Sequence, residues 1–433
     1  MMPVSGTGGA AVVALLLLTA LNLFNYIDRY ILFGVQPLVQ KEFEIGDEKF
    51  GALTTAFFFV YMFAAPMTGW LGDRFPRKPL ILAGAFLWCA LTLLTATVHS
   101  YQSLFLRHAV VGLGEATFGI FAPALLADFY PEIDRNRILS IFYIAIPVGA
   151  ALGYLIGGVV GSRYGWRAPF FVSALPGMLI AIAFWIWVRE PRRGAADRIR
   201  PASEAPDSLG VQRSPANAAS YLSSVVKGLS KPAYLSATLG MAALVFSMGG
   251  ISAFLPAFFV RFGGFSVAKA GLVVGGMTVV DGLLGTILGG WLAQRWLRHN
   301  HRALYLLSAW SALLAIPAAL TVFFGPRSLM IPAAFVAEFF IFLNTGPLNT
   351  AIVNSIGASI RSAAIAVNLF LIHALGDAPS AWIIGWISER SSLRIGLGLT
   401  LVTFAISACL LFAGARFAPM LEPISEPECL PKA

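Results

Sequence analysis

Twelve times along this chain an apolar stretch of about twenty residues is followed by a short polar or Gly/Pro-containing break, and a helix of about that length crosses a roughly 30 Å hydrocarbon core. Backbone in lipid is satisfied only in helices or closed barrels, and uninterrupted apolar runs of this length read as helices. The spans fall near 10–33, 51–71, 79–98, 103–128, 138–160, 168–188, 233–258, 267–293, 303–324, 329–353, 363–387 and 394–414. The implied fold class is an all-α membrane protein of twelve transmembrane helices. Of its 433 residues, 58% are hydrophobic and 12% charged, more apolar side chain than a soluble domain of this size buries. The surplus faces lipid.

The first run, AVVALLLLTALNLF, has no basic segment before it and no small-residue cleavage site after it, so it reads as a retained helix. Cys89, Cys409 and Cys429 suggest neither a disulfide framework nor a metal cluster, and no cofactor is expected. Placing both termini in the cytoplasm puts about 19 of the 30 basic residues inside and about nine outside. The net charge of +9 then reflects topology and contact with anionic membrane lipids, not nucleic acid. Short loops and the lack of N-x-S/T sites favour a bacterial inner membrane.

One long polar stretch, REPRRGAADRIRPASEAPDSLGVQRSPANAAS from Arg189, reads as a flexible cytoplasmic linker. It divides the chain into a six-helix bundle over 1–188, a linker over 189–232, a second bundle over 233–414 and a cytoplasmic tail over 415–433. An internal repeat supports the division: GWLGDRF from Gly69 matches GWLAQRW from Gly290, and each sits where an even-numbered span exits into a short basic loop. The two bundles are therefore read as pseudo-symmetric, in a protein expected to be a monomer.

Those residues also carry a family likeness. GWLGDRFPRK (69–78) resembles the loop motif between helices two and three of the major facilitator superfamily, with Pro76 where the family usually has Gly. RHAVVGLGEA from Arg107 resembles its helix-four motif, and REPRR resembles the usual exit of the first bundle. PVGAALGYLIGG from Pro147 resembles the glycine-rich helix-five motif of antiporters, with Tyr154 in place of the usual Pro. NYIDRY from Asn25, taken with Arg107 and Glu115, resembles the spinster branch, whose animal members are associated with lysophospholipid and sphingosine phosphate transport. The resemblance implies a gating role for the loop residues Asp73, Arg74, Arg77 and Lys78.

Ionisable groups inside spans cost roughly 2.5–3.5 kcal/mol each on insertion scales and mark functional positions. Here they are Asp28, Arg29, Arg107, Glu115, Asp281, Glu338 and Asp377. Asp28 and Arg29, about 100° apart on a helix, face different partners. Arg107 and Glu115, about 12 Å apart along the axis and about 80° around it, share a broad face, so a cavity between helices one and four would collect all four groups. A buried carboxylate whose distance to an Arg changes as helices rock can load and release a proton, which Arg cannot do. Asp28 and Glu115 are therefore the proton-coupling candidates, with Arg29 and Arg107 as counter-charges or anion anchors. Two plainer alternatives stand: an Arg107–Glu115 pair that only locks helices, and an Asp28 that snorkels to the interface.

Asn344, Thr345, Asn349, Asn368 and His373 are the polar groups expected opposite, in the second bundle, and LGDAPSAW around Asp377 reads as a broken helix. The glycines at 149, 153, 157 and 158 read as helix packing, and the Phe-rich run from Phe57 to Phe59 as lipid-facing or core. A cavity polar at a few points and apolar elsewhere suits a small amphiphile. The sequence thus reads as a proton-coupled, alternating-access transporter of a lysophospholipid or sphingoid phosphate. A transporter of a sugar, organic anion or drug is the alternative, and an intramembrane enzyme or channel is disfavoured by the lack of catalytic and phosphate-binding motifs.

Overall fold

The protein is described by a computed structural model covering residues 8–192, 195–196, 218–356 and 360–420. Helices α1 (Gly8–Gly34), α3 (Asp47–Arg74), α4 (Arg77–Thr95), α5 (Tyr101–Phe129), α6 (Glu132–Tyr164) and α7 (Ala168–Trp187) form the first half, with a short α2 (Gln36–Phe43) after α1. The second half holds α9 (Pro232–Gly263), α10 (Val267–Leu297), α11 (Ala303–Phe324), α12 (Met330–Leu343) with α13 (Thr345–Asn354), α14 (Arg361–Ile372) with α15 (Ala378–Arg390), and α16 (Leu393–Gly414). Among the described residues eleven helical runs are long and apolar enough to cross a membrane, and the 28-residue α3 completes the twelve.

Several helices outrun the apolar spans because their ends carry polar residues that lie beyond the hydrocarbon core. α3 starts at Asp47 and Glu48, whose charges suit a helix N-terminus. Helix α8 (Ala218–Leu229) lies within the stretch read as linker: small and apolar residues carry 218–229, and the Pro- and charge-rich composition stops before it. The tenth and eleventh spans are each interrupted once: α12 gives way to α13 at Asn344, and α14 to α15 through a wide π-turn at His373–Asp377, where Gly376 leaves helical geometry (φ −99°, ψ −108°). The LGDAP segment is broken as its Gly and Pro imply.

α1 packs on α6 and α7, α3 on α5, and α4 on α5 and α7; in the second half α9 packs on α16, α11 on α12 and α16, and α10 on α12. The main crossings that join the bundles are α6 with α10 and α3 with α15, and α3 and α10 are the helices that end in the repeated GWL motif. The glycine stripe of α6 packs as expected: a Cβ on Gly149, Gly153 or Gly157 would meet α1 backbone oxygens at 2.7–2.8 Å. Gly158 faces the other bundle, where Cβ would lie 3.0 Å from Gly271 Cα. Small residues let these backbones touch.

The buried core is continuous at one end only. Near the α1–α2–α3 turns, Leu32 and Phe50 of the first bundle and Phe254 and Phe258 of the second belong to one cluster. Toward the GWL loops, the core around Trp88 and Phe184 belongs almost wholly to the first bundle, and a separate one around Tyr234 and Tyr305 to the second.

Candidate functional site

The central site starts from α1, where NYIDRY places Tyr26 one turn before Arg29. Arg29 Nε and Nη2 both donate to Glu115 Oε2 of α5, at 3.0 and 2.5 Å. The guanidinium carbon lies 4.9 Å from the ring centroids of Tyr26 and Phe57, 5.7 Å from Phe58 and 5.8 Å from Tyr61. Each such contact is worth about 0.5–2 kcal/mol, more when desolvated. Glu115 is buried and its Oε1 has no hydrogen-bond partner among the described residues, so the carboxylate holds the arginine through one oxygen.

The aromatic box continues into the second bundle. His373 stacks on Phe58 (5.5 Å, 22°), meets Tyr61 edge-on (5.4 Å), and pairs with Asp377 through Nδ1, 2.9 Å from Oδ1 and 3.2 Å from Oδ2. Phe58 and Tyr61 thus touch Arg29 on one side and His373 on the other, linking a cation of the first bundle to a titratable pair of the second. Phe57 and Phe58 were expected among lipid or core, and both are buried at the site; Phe59 is exposed. Only their i, i+4 and i, i+3 spacings to Tyr61 and the charged Arg29 in α1 signal this in the sequence.

Asp28 turns away from Arg29, as adjacent helical positions do. It is 5% exposed, which excludes snorkelling, and among the described residues both its oxygens lack a hydrogen-bond partner. Its polar neighbours are Ser173 of α7 and Trp88 of α4.

Arg107 does not join the group. Its Nη1 donates to the Leu94 carbonyl and, at 3.1 Å, to Thr97 Oγ1, so its positive charge sits at the C-terminal end of α4. The expected Arg107–Glu115 face therefore fails, because the long Arg side chain reaches the nearby α4–α5 turn and Arg29 takes Glu115. In the second bundle, Asn344 is buried and donates to Ser311 Oγ at 3.0 Å, bracing the α12–α13 break. Thr345 and Asn349 are exposed, with Asn349 Nδ2 bonded to the Thr345 carbonyl. Asn368 is buried beside Met241, and only His373 of this set reaches the aromatic box.

A cavity of about 70 Å³, room for a few waters, lies between the bundles. It is lined by Tyr30, Pro147 and Tyr154 on one wall and by Ser252, Thr278 and Glu338 on the other. Glu338 was read as a secondary acid; here it faces the inter-bundle space.

At the loop end, the Arg77 guanidinium bonds to Asp128 and to the Ala124 carbonyl (3.0 Å), while Lys78 Nζ donates to the Trp185 carbonyl (2.8 Å). The backbone N–H groups of Arg77 and Lys78 donate to the Glu190 carboxylate at 2.6 and 3.1 Å, an anionic cap on α4. Asp128 and Glu190 were not anticipated; the acid in REPRR was the available signal. The Asp73 side chain lies outside the described residues, and Arg74 is exposed on α3.

At the opposite end the bundles are latched. Arg261 of α9 donates through Nη1 and Nη2 to both oxygens of Asp47 (2.6 Å each) and to Gln40 Oε1 (2.8 Å); Gln40 Nε2 and Ser388 Oγ also donate to Asp47. Alongside, Glu48 N–H donates to Glu389 (2.9 Å) and Arg390 pairs with Glu48 (3.1 Å).

Two bundles that meet around a charged, aromatic-lined centre and close at one end define a membrane transporter. The Major Facilitator Superfamily matches residues 18–379, and the chain belongs to that superfamily as a multi-pass membrane protein, not an enzyme. Within it the chain belongs to the spinster family. Protein spinster homolog 1 of Bos taurus is 32% identical over 402 residues, covering 89% of this chain and 74% of that protein. The sphingosine-1-phosphate transporter SPNS2 of Danio rerio is 31% identical over 416 residues, 89% of this chain and 80% of that protein. The crystal structure of a bacterial homolog to the human lysosomal transporter spinster, inward-facing and unoccupied, shares the fold at a TM-score of 0.81 and 22% identity, over 94% of this chain and 98% of that one.

Proposed function

We propose that this transporter moves a small amphiphilic lipid with an anionic head, of the lysophospholipid or sphingoid phosphate class, by alternating access coupled to protons. The observation that carries the reading is the Arg29–Glu115 pair: a partly buried cation, framed by four aromatic rings and held through one oxygen of a buried carboxylate. A headgroup phosphate competes with Glu115 for the guanidinium, because Arg recognises both through the same forked donors. Glu115 displaced from Arg29 is an unpaired buried carboxylate, which takes up a proton instead of staying charged. Anion binding and protonation are then one linked event. Asp28, buried and unbonded nearby, is the second proton carrier. The aromatic rings and apolar cavity wall give the acyl chain its surface, and the names of the SPNS2 relatives favour a lipid over a sugar.

With both termini cytoplasmic, the Asp47–Arg261 latch lies on the outer side and the conformation is inward-facing. The loop residues Asp73, Arg74, Arg77 and Lys78 act as the gate on the inner side, and the two bundles, divided by the 189–232 segment, rock about the central site of a monomer in a bacterial inner membrane. Residues Asn344 and Asn368 support the second bundle's wall, and Thr345 and Asn349 bind substrate where α13 is exposed.

The test is uptake of labelled lysophospholipid and sphingosine 1-phosphate into proteoliposomes with and without a proton gradient, in the parent, Asp28→Asn and Glu115→Gln. Gradient-driven uptake by the parent that either substitution uncouples supports the reading. Undiminished gradient-driven uptake in both variants overturns the coupling roles, and a parent that transports only small polar solutes overturns the lipid assignment.

A further inference from the structure

The two copies of the GWL motif lead into loops that are finished differently. After the first, the backbone N–H groups that open α4 are capped by Glu190, which follows the last span of its bundle, and Arg77 pairs with Asp128. After the second, Gln294 stands in the place of Asp73, and among the described residues no side chain caps the start of α11. The α10–α11 loop carries Arg295, Arg298 and Arg302, all exposed, and among the described residues none of the three has an ion-pair partner. Arg295 lies over the Trp291 ring, 5.7 Å from its centroid. The acids described in the second half sit elsewhere: Asp281, Glu338 and Asp377 lie at mid-span, and Glu389 lies at the latched end. Three like charges in one loop repel one another and draw an anion.

The chain that follows α16 runs to this loop. Ala415 and Ala418 are buried in the core of Tyr234 and Tyr305, and Pro419 closes a small pocket with Leu297, His301, Leu304 and Tyr305, against the start of α11. In the first bundle the chain takes the matching course from α7 to Glu190 at the start of α4. Residues 421–433, LEPISEPECLPKA, lie outside the described residues; their sequence holds Glu422, Glu426 and Glu428 and no base before Lys432. Glu422 is separated from Pro419 by at most about 10 Å of extended chain. An anionic lipid head also has the fitting charge. The tail is favoured because Pro419 already anchors it beside the loop, which gives its acids a high effective concentration there, and because the first bundle fills the same place with an acid of its own.

We infer that residues 421–433 clasp the α10–α11 loop, with Glu422 at the start of α11 and Glu426 and Glu428 against Arg298 and Arg302, so that the segment after α16 supplies the acid that the second GWL copy lacks. The clasp ties the loop end of α10 to α11 and α16, and it does not depend on the substrate. Full-length protein carrying Cys409→Ser and His299→Cys is spin-labelled at position 299 and at the native Cys429, the buried Cys89 being left in place, and is measured in nanodiscs of zwitterionic lipid. At about 50 mM salt the parent gives one narrow distance, and about 500 mM salt broadens it about twofold or more. The triple variant Glu422→Gln, Glu426→Gln, Glu428→Gln is equally broad at low salt, and so is Arg298→Glu with Arg302→Glu. Joining that arginine pair with Glu422→Lys, Glu426→Lys and Glu428→Lys restores the narrow distance. Should the arginine variant not fold, the glutamate variant, which alters no packed helix, reads the same contact. A parent distribution that is broad at low salt overturns the clasp and leaves the arginines to anionic lipid heads. A narrow distance indifferent to both sets of charges overturns it as well.

Discussion

The two ends of the inter-bundle seam are built differently. At the α1–α2–α3 end the bundles share one apolar core and a buried hydrogen-bonded charge network; at the GWL-loop end each bundle keeps its own core, and the contacts of Arg77 and Lys78 stay inside the first bundle. A seam that is glued at one end and divided at the other records one state of a two-state machine. A hydrophobic core reseals wherever surfaces meet, while a network bound to Asp47 has to be taken apart bond by bond, so the polar latch is expected to add to the shared core in keeping that end closed.

The comparison breaks most sharply at the backbone contact of α6 with α10. A Cβ on Gly271 would lie 2.4 Å from the Tyr154 carbonyl, so Gly271→Leu pries the crossing apart. Uptake in proteoliposomes is expected to fall by more than about tenfold, with a correspondingly lower unfolding temperature. A variant with parental turnover would show that the crossing is not needed.

Arg261→Ala comes next. It leaves Asp47 facing Gln40 and Ser388 without its cation, and losing one partner of a largely buried pair costs about 3–5 kcal/mol, discounted here because Arg261 is 37% exposed. Spin labels at the exposed positions Lys41 and Ser391 are expected to report a longer, broader distance across the latched end. An unchanged distribution would mean the shared core alone holds the seam.

A smaller effect is expected for Glu48→Gln, since its partner Arg390 is 53% exposed and such surface pairs contribute about 0–1 kcal/mol. The same labels should move little, which separates the core of the latch from its rim. The smallest response is to pH. Hydrogen bonds from Arg167 and Trp166 hold the Glu42 carboxyl below its usual range. Its contribution is present above the ordinary carboxylate pKa and is lost only as pH falls through the depressed value. Between about pH 6 and 8 the α2 contact is therefore expected to stay constant by hydrogen exchange, and any pH-driven opening in that window comes from elsewhere.

The fold was largely legible because each span announces itself by length and hydropathy, and the GWL repeat marked α3 and α10 as equivalents. The central pair was half legible: Arg29 and Glu115 stood out as charges in lipid, but a helical wheel says nothing of how far a side chain reaches, so Arg107 was placed with Glu115 when it serves the end of α4. The latch was not legible. Asp47, Arg261 and Ser388 each look like solvated residues at a helix end, and only the tertiary fold brings together positions more than 200 residues apart. Glu338 was visible as a costly charge, yet its two unlike oxygens, one bonded to Thr278 and one with no partner among the described residues, are a property of packing.

The touching backbones at Gly158 and Gly271 give the molecule a mechanical advantage. A contact between two backbones has almost no thickness, so it behaves as a fulcrum, and α10 extends from it as a stiff arm to Leu297. That arm is about 39 Å long at 1.5 Å per residue. A tilt of about 10° at the fulcrum sweeps its far end through roughly 7 Å, so a change of a few atoms' width beside the glycines becomes a doorway at the other face.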